Sequence, residues 1–178
     1  MKSIKIKDKE FDLFIEEEKI SESIQRIADK MNVELDGKDP VFLAILNGAF
    51  MFAGELMKKV TIPSEITFVR LASYRGTSST EQVQEVLGLN ESIEGRTVVI
   101  VEDIVDTGNT MVALMKQLNE LNPKEIKIAT LLFKPEALKN PLNLDYVALR
   151  IPSDFIVGYG LDYDGYGRNL SDIYKLKS

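Results

Sequence analysis

Residues 98–110, Val-Val-Ile-Val-Glu-Asp-Ile-Val-Asp-Thr-Gly-Asn-Thr, hold the densest group of side chains that could do chemistry. Two adjacent acids, Glu102 and Asp103, end a run of apolar residues that reads as a buried strand. A third acid, Asp106, opens a turn of small and hydroxylated residues, and an amphipathic helix follows. Ionised carboxylates only accept hydrogen bonds, so Glu102 and Asp103 suit the two hydroxyls of a ribose or the water ligands of magnesium. From Asp106 to Thr110, successive backbone N–H groups and the hydroxyls of Thr107 and Thr110 meet at a helix N-terminus. A phosphate monoester there finds free donors and the positive end of the helix dipole. Gly108 lets the backbone approach such a group closely. Asp106 lies just beyond, within reach of a ligand stacked above the sugar. An aspartate before a helix is, by itself, an ordinary N-cap. Two acids on the same strand end, a glycine-containing turn and a following helix together point to a phosphate site.

The rest of the composition narrows the chemistry further. The chain has 178 residues with no cysteine and no histidine. Thiol catalysis, disulfides, Ser-His nucleophile pairs and imidazole-ligated metals are therefore excluded. Carboxylates, lysines, hydroxyls and backbone amides must do the work, and a metal would be a hard cation such as magnesium. The formal net charge of -6 argues against a nucleic-acid partner, whose affinity comes largely from phosphate neutralisation. The basic opening Met1–Lys7 lacks the apolar core of a secretory signal, and no apolar run reaches membrane-spanning length, so the expected location is the cytoplasm with no membrane partner.

Positioning such a site takes a framework of strands and helices. Phe11 to Ile15 reads as a short strand or staple. Ser21 is the expected N-cap of a helix carrying Ile24, Ile27, Ala28 and Met31 at helical spacing. Residues 41–46 form a continuous apolar run typical of a strand covered on both faces, broken by Asn47-Gly48 before a helical pattern from Ala49 to Val60. A strand over 65–72, a polar stretch over 73–82 and a possible partner strand over 83–89 follow. Strand 97–101, helix 110–121, strand 126–133 and strands at 146–151 and 155–159 complete the pattern. This alternation predicts one α/β domain over 1–178 with a mainly parallel, twisted sheet flanked by helices. In such sheets ligands bind outside the carboxyl ends of the strands, which directs attention to the loops at 47–49, 73–82, 102–110 and 134–136 and to 153–168.

The segment from Val98 to Met111 resembles the 5-phosphoribosyl-1-pyrophosphate signature of type I phosphoribosyltransferases: apolar strand, Glu-Asp, two apolar residues, Asp-Thr-Gly, one residue, Thr. From about Leu43 to Leu170 the chain is similar to the hypoxanthine-guanine branch of that family. The resemblance implies a hood built from chain-terminal segments and a mobile active-site loop. It makes Asn47 and Gly48 part of a pyrophosphate loop that follows an often cis peptide, with the backbone of Gly48 as donor. Ser73 and Tyr74 begin a lid, continued by the polar 75–80, that closes over the substrates. Lys134 donates to the 6-oxo group of the purine, Phe155 stacks on its ring, and the backbone at Ile156 reads its edge. Asp162 holds a second magnesium, and Arg168 contacts the pyrophosphate. Asn47, Asn109 and Asp154 stand where relatives often carry lysine, removing positive charge near the phosphates and base.

The resemblance implies a magnesium-dependent transfer of the phosphoribosyl group to N9 of hypoxanthine or guanine. In it Glu102 and Asp103 lie by the sugar and metal, Thr107, Gly108, Asn109 and Thr110 by the phosphate, and Asp106 serves as general base at N7. The substrates are small molecules, and a homodimer or homotetramer is implied. Xanthine, adenine or a pyrimidine as acceptor, and a regulatory protein that keeps the fold without catalysis, remain as alternatives. Lys134 argues against adenine, and the intact acids argue against lost catalysis.

Overall fold

The computed structural model describes residues 2–75 and 82–177. In chain order its elements are β1 (Ser3–Ile6), β2 (Lys9–Ile15), α1 (Glu17–Glu34), β3 (Val41–Leu46), α2 (Phe50–Lys59), β4 (Glu65–Arg75), β5 (Gln82–Leu87), β6 (Thr97–Val105), α3 (Asn109–Asn119), β7 (Glu125–Phe133), β8 (Tyr146–Arg150), β9 (Ile156–Val157) and β10 (Ile173–Leu176). A 3₁₀ turn spans Pro135–Ala137.

Side-chain alternation along β3 sets the architecture. Phe42 and Ala44 point to one face of the sheet, Leu43 and Ile45 to the other, and all four are buried. On the first face, Ile20, Ile24, Ile27 and Met31 of α1 and Phe52 and Leu56 of α2 pack against Phe42, Ala44, Val99 and Val101. On the second, Met111, Leu114 and Leu118 of α3 cover Leu43, Ile45, Val98, Ile100 and Ile128. A strand covered twice can be apolar throughout, which is why 41–46 and 97–101 carry no alternating pattern. Truncating one of these fully buried side chains, such as Leu43 or Leu56, to alanine costs about 2–5 kcal/mol.

The main sheet runs β5-β4-β3-β6-β7-β8. β4, β3, β6, β7 and β8 are parallel, and β5 is an antiparallel edge. The chain termini build a second, four-stranded sheet, β1-β2-β10-β9, around Phe11, Val157 and Tyr174. This is the α/β domain with a terminal-segment hood that the sequence implied.

Three boundaries differ from the sequence reading. Ser21 is not the N-cap of α1: the helix starts at Glu17, because the buried stripe already begins at Ile20. The Ser21 hydroxyl instead donates to Glu55 Oε1 at 3.2 Å, and the N–H of Glu17 is capped by Asp172 Oδ1 at 2.9 Å, from 155 residues away. β4 extends through Ser73 and Tyr74 to Arg75, because each pairs with a residue of β5: Ser73 with Gln84 and Tyr74 with Val83. The lid residues Gly76 to Thr80 lie outside the described residues. The final strand is β10, not 155–159, of which only Ile156–Val157 is extended.

Candidate active site

Because β3, β6 and β7 are parallel, their carboxyl ends share one edge of the sheet, and the candidate site residues lie along that edge and in the loops leaving it. β6 continues past the acids to Val105, so Glu102 and Asp103 lie inside the strand and not at its end. Pairing with β3 stops at Ala44–Val101, whereas pairing with β7 continues through Glu102–Thr130 to Val105–Phe133. The acids occupy the stretch where β6 has lost one neighbour and kept the other.

Glu102 is buried and Asp103 half-buried. The N–H of Asp103 donates to Glu102 Oε1 at 3.0 Å, and the N–H of Ile104 donates to Asp103 Oδ1 at 2.8 Å. Burial, followed by the negative charge of Asp103, holds the Glu102 carboxyl well above the usual carboxylate range. A divalent cation would relieve that repulsion, and two oxygen-donor carboxylates are the ligands a hard cation prefers.

Gly48 is wedged against this pair. The Leu46–Asn47 peptide is cis. A Cβ on Gly48 would overlap the Asp103 carboxylate, and a Cβ on Gly160, at φ +98°, would overlap the carbonyl oxygen of Gly48. Backbone therefore lies directly on a carboxylate, and the 158–168 segment lies directly on that backbone. From Gly160 the chain reaches Asp162 and Arg168. Arg168 donates to the carbonyl of Gly160 at 2.7 Å and pairs with Asp162 Oδ1 at 2.9 Å, and Asp162 Oδ2 accepts the N–H of Gly165 at 2.7 Å. Among the described residues no group of three or more carboxylates converges to hold a metal.

The turn after β6 has the expected form. Gly108, at φ +81°, is the N-cap of α3, and Asn109 begins the helix, so the first-turn N–H groups have no partner within the helix. Asp106, Asn109 and Thr110 are exposed and Thr107 is half-buried.

Next to this turn stands the pair the sequence reading did not join. Lys134 follows β7, where its N–H is held by the carbonyl of Val105 at 3.0 Å, and its Nζ lies 3.2 Å from Asp106 Oδ2. Phe155, 47% exposed, is supported from behind by Phe11 and Tyr163, with ring centroids 6.3 and 6.0 Å away. Ile156 is buried in β9 opposite Lys175. Ser73 and Tyr74 enter as backbone positions of β4. Sequence reasoning missed Asn140, whose amide donates to Asn109 at the start of α3, and Asp172, which holds the start of α1; each acts through a contact distant in sequence.

The family model described as "Phosphoribosyl transferase domain" matches residues 15–164. The hypoxanthine-guanine phosphoribosyltransferase of Lactococcus lactis is 39% identical over 166 residues, 93% of this chain and 90% of that protein. The bifunctional protein TilS/HprT of Listeria monocytogenes is 37% identical over 166 residues, and there the chain spans only 26% of the relative's length. A crystal structure of a hypoxanthine-guanine phosphoribosyltransferase from Bacillus anthracis superposes with a TM-score of 0.83 at 34% identity, covering 93% of this chain and 97% of that one.

Proposed function

The chain belongs to the phosphoribosyl transferase family, and from that premise we infer that it is a hypoxanthine/guanine phosphoribosyltransferase. It transfers the 5-phosphoribosyl group from 5-phospho-α-D-ribose 1-diphosphate to N9 of the base, forming IMP or GMP and releasing pyrophosphate. The observation that carries this reading is the Lys134–Asp106 pair, 3.2 Å apart, beside a phosphate-binding turn. A 6-oxopurine protonated at N7 presents an acceptor, O6, next to a donor, N7–H. An ammonium and a carboxylate side by side complement that edge, Lys134 donating to O6 and Asp106 accepting from N7. The 6-amino group of adenine offers Lys134 no acceptor, so the same pair selects against it.

The remaining roles are those the family resemblance implies. The turn from Thr107 to Thr110 holds the 5-phosphate on backbone N–H groups and hydroxyls, with the helix dipole behind them. Glu102 and Asp103 orient the ribose hydroxyls and hold magnesium, and Asp162 serves a second magnesium. Bound magnesium supplies positive charge that neutralises the leaving pyrophosphate. The backbone at Asn47 and Gly48 and the guanidinium of Arg168 also face the pyrophosphate. Phe155 stacks on the purine, the backbone of Ile156 reads its edge, and Ser73 and Tyr74 close over both substrates, excluding water from the activated sugar. As cleavage proceeds, positive charge develops at the anomeric carbon and negative charge on the leaving pyrophosphate, while Asp106 takes or stabilises the proton at N7 of the purine.

Two further expectations belong to this reading. No helix among the described residues is long and apolar enough to cross a membrane, and the enzyme works in the cytoplasm on small molecules. It does so as a homodimer or homotetramer, for which exposed Phe50, Ile66 and Phe68 supply apolar surface on the side of the sheet that α2 covers.

Incubation with phosphoribosyl pyrophosphate, magnesium and hypoxanthine tests the assignment. IMP and pyrophosphate should appear in equal amounts. Pyrophosphate without nucleotide would mean that water, not a purine, is the acceptor.

A further inference from the structure

The segment after Lys134 grips the phosphate turn at three consecutive residues. The N–H of Lys139 donates to the carbonyl of Thr107 at 3.0 Å. The bare Cα of Gly108 faces the terminal methyls of Leu138 and Leu142, which a Cβ would meet at 2.9 and 2.8 Å. The Nδ2 of Asn140 donates to the Oδ1 of Asn109 at 2.6 Å. The first two contacts hold backbone. The third holds a side chain that stands at the first position of α3, at the positive end of the helix.

We propose that Asn140 is a positioning residue for the phosphate turn: it fixes the side-chain amide of Asn109 so that the amide's N–H groups face the phosphoribosyl substrate. An asparagine amide has one acceptor and two donors. Left free at an exposed helix start, it turns about its last torsion and presents either end to an anion. With Oδ1 engaged by Asn140, the donor end is the one available, and the ordering entropy has been met before the substrate arrives. The segment that carries Asn140 also begins at Lys134, so one stretch of backbone sets both the phosphate turn and the lysine assigned to the base. The inference rests on the assignment of 107–110 as the phosphate site and names how this chain completes it.

Steady-state kinetics of Asn140→Ala, Asn109→Ala and the double variant test it, with melting temperatures recorded alongside. Each single variant should raise the KM for phosphoribosyl pyrophosphate about fivefold, the size of one neutral hydrogen bond. The KM for hypoxanthine and kcat should stay within about twofold, and the double variant should be no worse than either single one. Asn140→Asp should be more damaging than Asn140→Ala, since a carboxylate cannot donate to Oδ1 and adds negative charge beside the phosphate. If Asn109→Ala raises that KM and Asn140→Ala does not, or if the two effects add, the positioning role is wrong while the phosphate site stands. If Asn140→Ala lowers the melting temperature and shifts both KM values and kcat together, its role is structural only and the proposal fails. If Asn109→Ala and Thr107→Ala both leave the KM unchanged, the assignment of the turn itself fails, and this inference with it.

Discussion

The buried ammonium of Lys134 lies 3.2 Å from the half-exposed carboxylate of Asp106, joining the loop after β7 to the loop after β6. The ion pair holds the two side chains side by side, and in the proposed function the base takes both partners. Lys134→Ala should therefore lower kcat/KM for hypoxanthine about 10- to 100-fold, the loss expected for a hydrogen bond from a charged donor. Asp106→Asn should lower kcat about 100-fold with little change in the KM for phosphoribosyl pyrophosphate. Kinetics with each substrate varied in turn check both, and unchanged hypoxanthine kinetics in the lysine variant would break the assignment of its role.

Gly48 separates Asp103 from Gly160 with no room for a side chain. Gly48→Ala must displace the carboxylate or the loop, and a misplacement of this kind costs about 100-fold in turnover. A folded variant with kcat/KM near that of the parent would show that the contact is incidental.

Glu102 ties stability to function. Its folded-state carboxyl titrates above the unfolded value, chiefly through burial and then through Asp103. The folded state thus binds more protons than the unfolded one, and its stability falls as pH rises above about 4.5 toward the raised value. Without divalent cations, Glu102→Gln should melt at a higher temperature than the parent at neutral pH, and magnesium should raise the melting temperature of the parent more than that of the variant. Thermal melts across pH decide this, and a lower-melting variant in metal-free buffer would contradict it.

Asp172 acts in the opposite sense. Its hydrogen bond from Lys2, followed by that from the Glu17 N–H, lowers its carboxyl from the ordinary value. The stability this contributes is present above pH of about 3.8 and is lost as pH falls through the lower folded value. Asp172→Asn should flatten the acid limb of the stability curve, and Asp172→Ala should cost about 1–2 kcal/mol as a lost helix cap. Urea midpoints at several pH values between neutral and acid read both effects.

The two aspartates also show what a sequence can display. Asp106 was legible because strand, acids, glycine turn and helix are contiguous, and each leaves a local trace in residue type. The buried strands at β3 and β6 were legible for the same reason, since being covered on two faces demands apolar residues throughout. Asp172 was not legible as the cap of α1, because it is 155 residues from the N–H it accepts, and Ser21 offered a better local signal in the wrong place. β1 and β10 are four residues each and partly charged, and they are strands only because β2 lies between them. The role of Lys134 came through family resemblance. Its ion pair with Asp106 is a tertiary contact across 28 residues, as is the bond from Asn140 to Asn109 across 31.

The central claim is that this site transfers phosphoribosyl groups to 6-oxopurines, and it is tested most directly by competing bases in one assay. With phosphoribosyl pyrophosphate and magnesium supplied, kcat/KM should be high for hypoxanthine or guanine and lower for adenine by at least about 100-fold, since a buried donor left without an acceptor costs a few kcal/mol. Adenine used as well as hypoxanthine, or no nucleotide formed from any purine, would contradict the account.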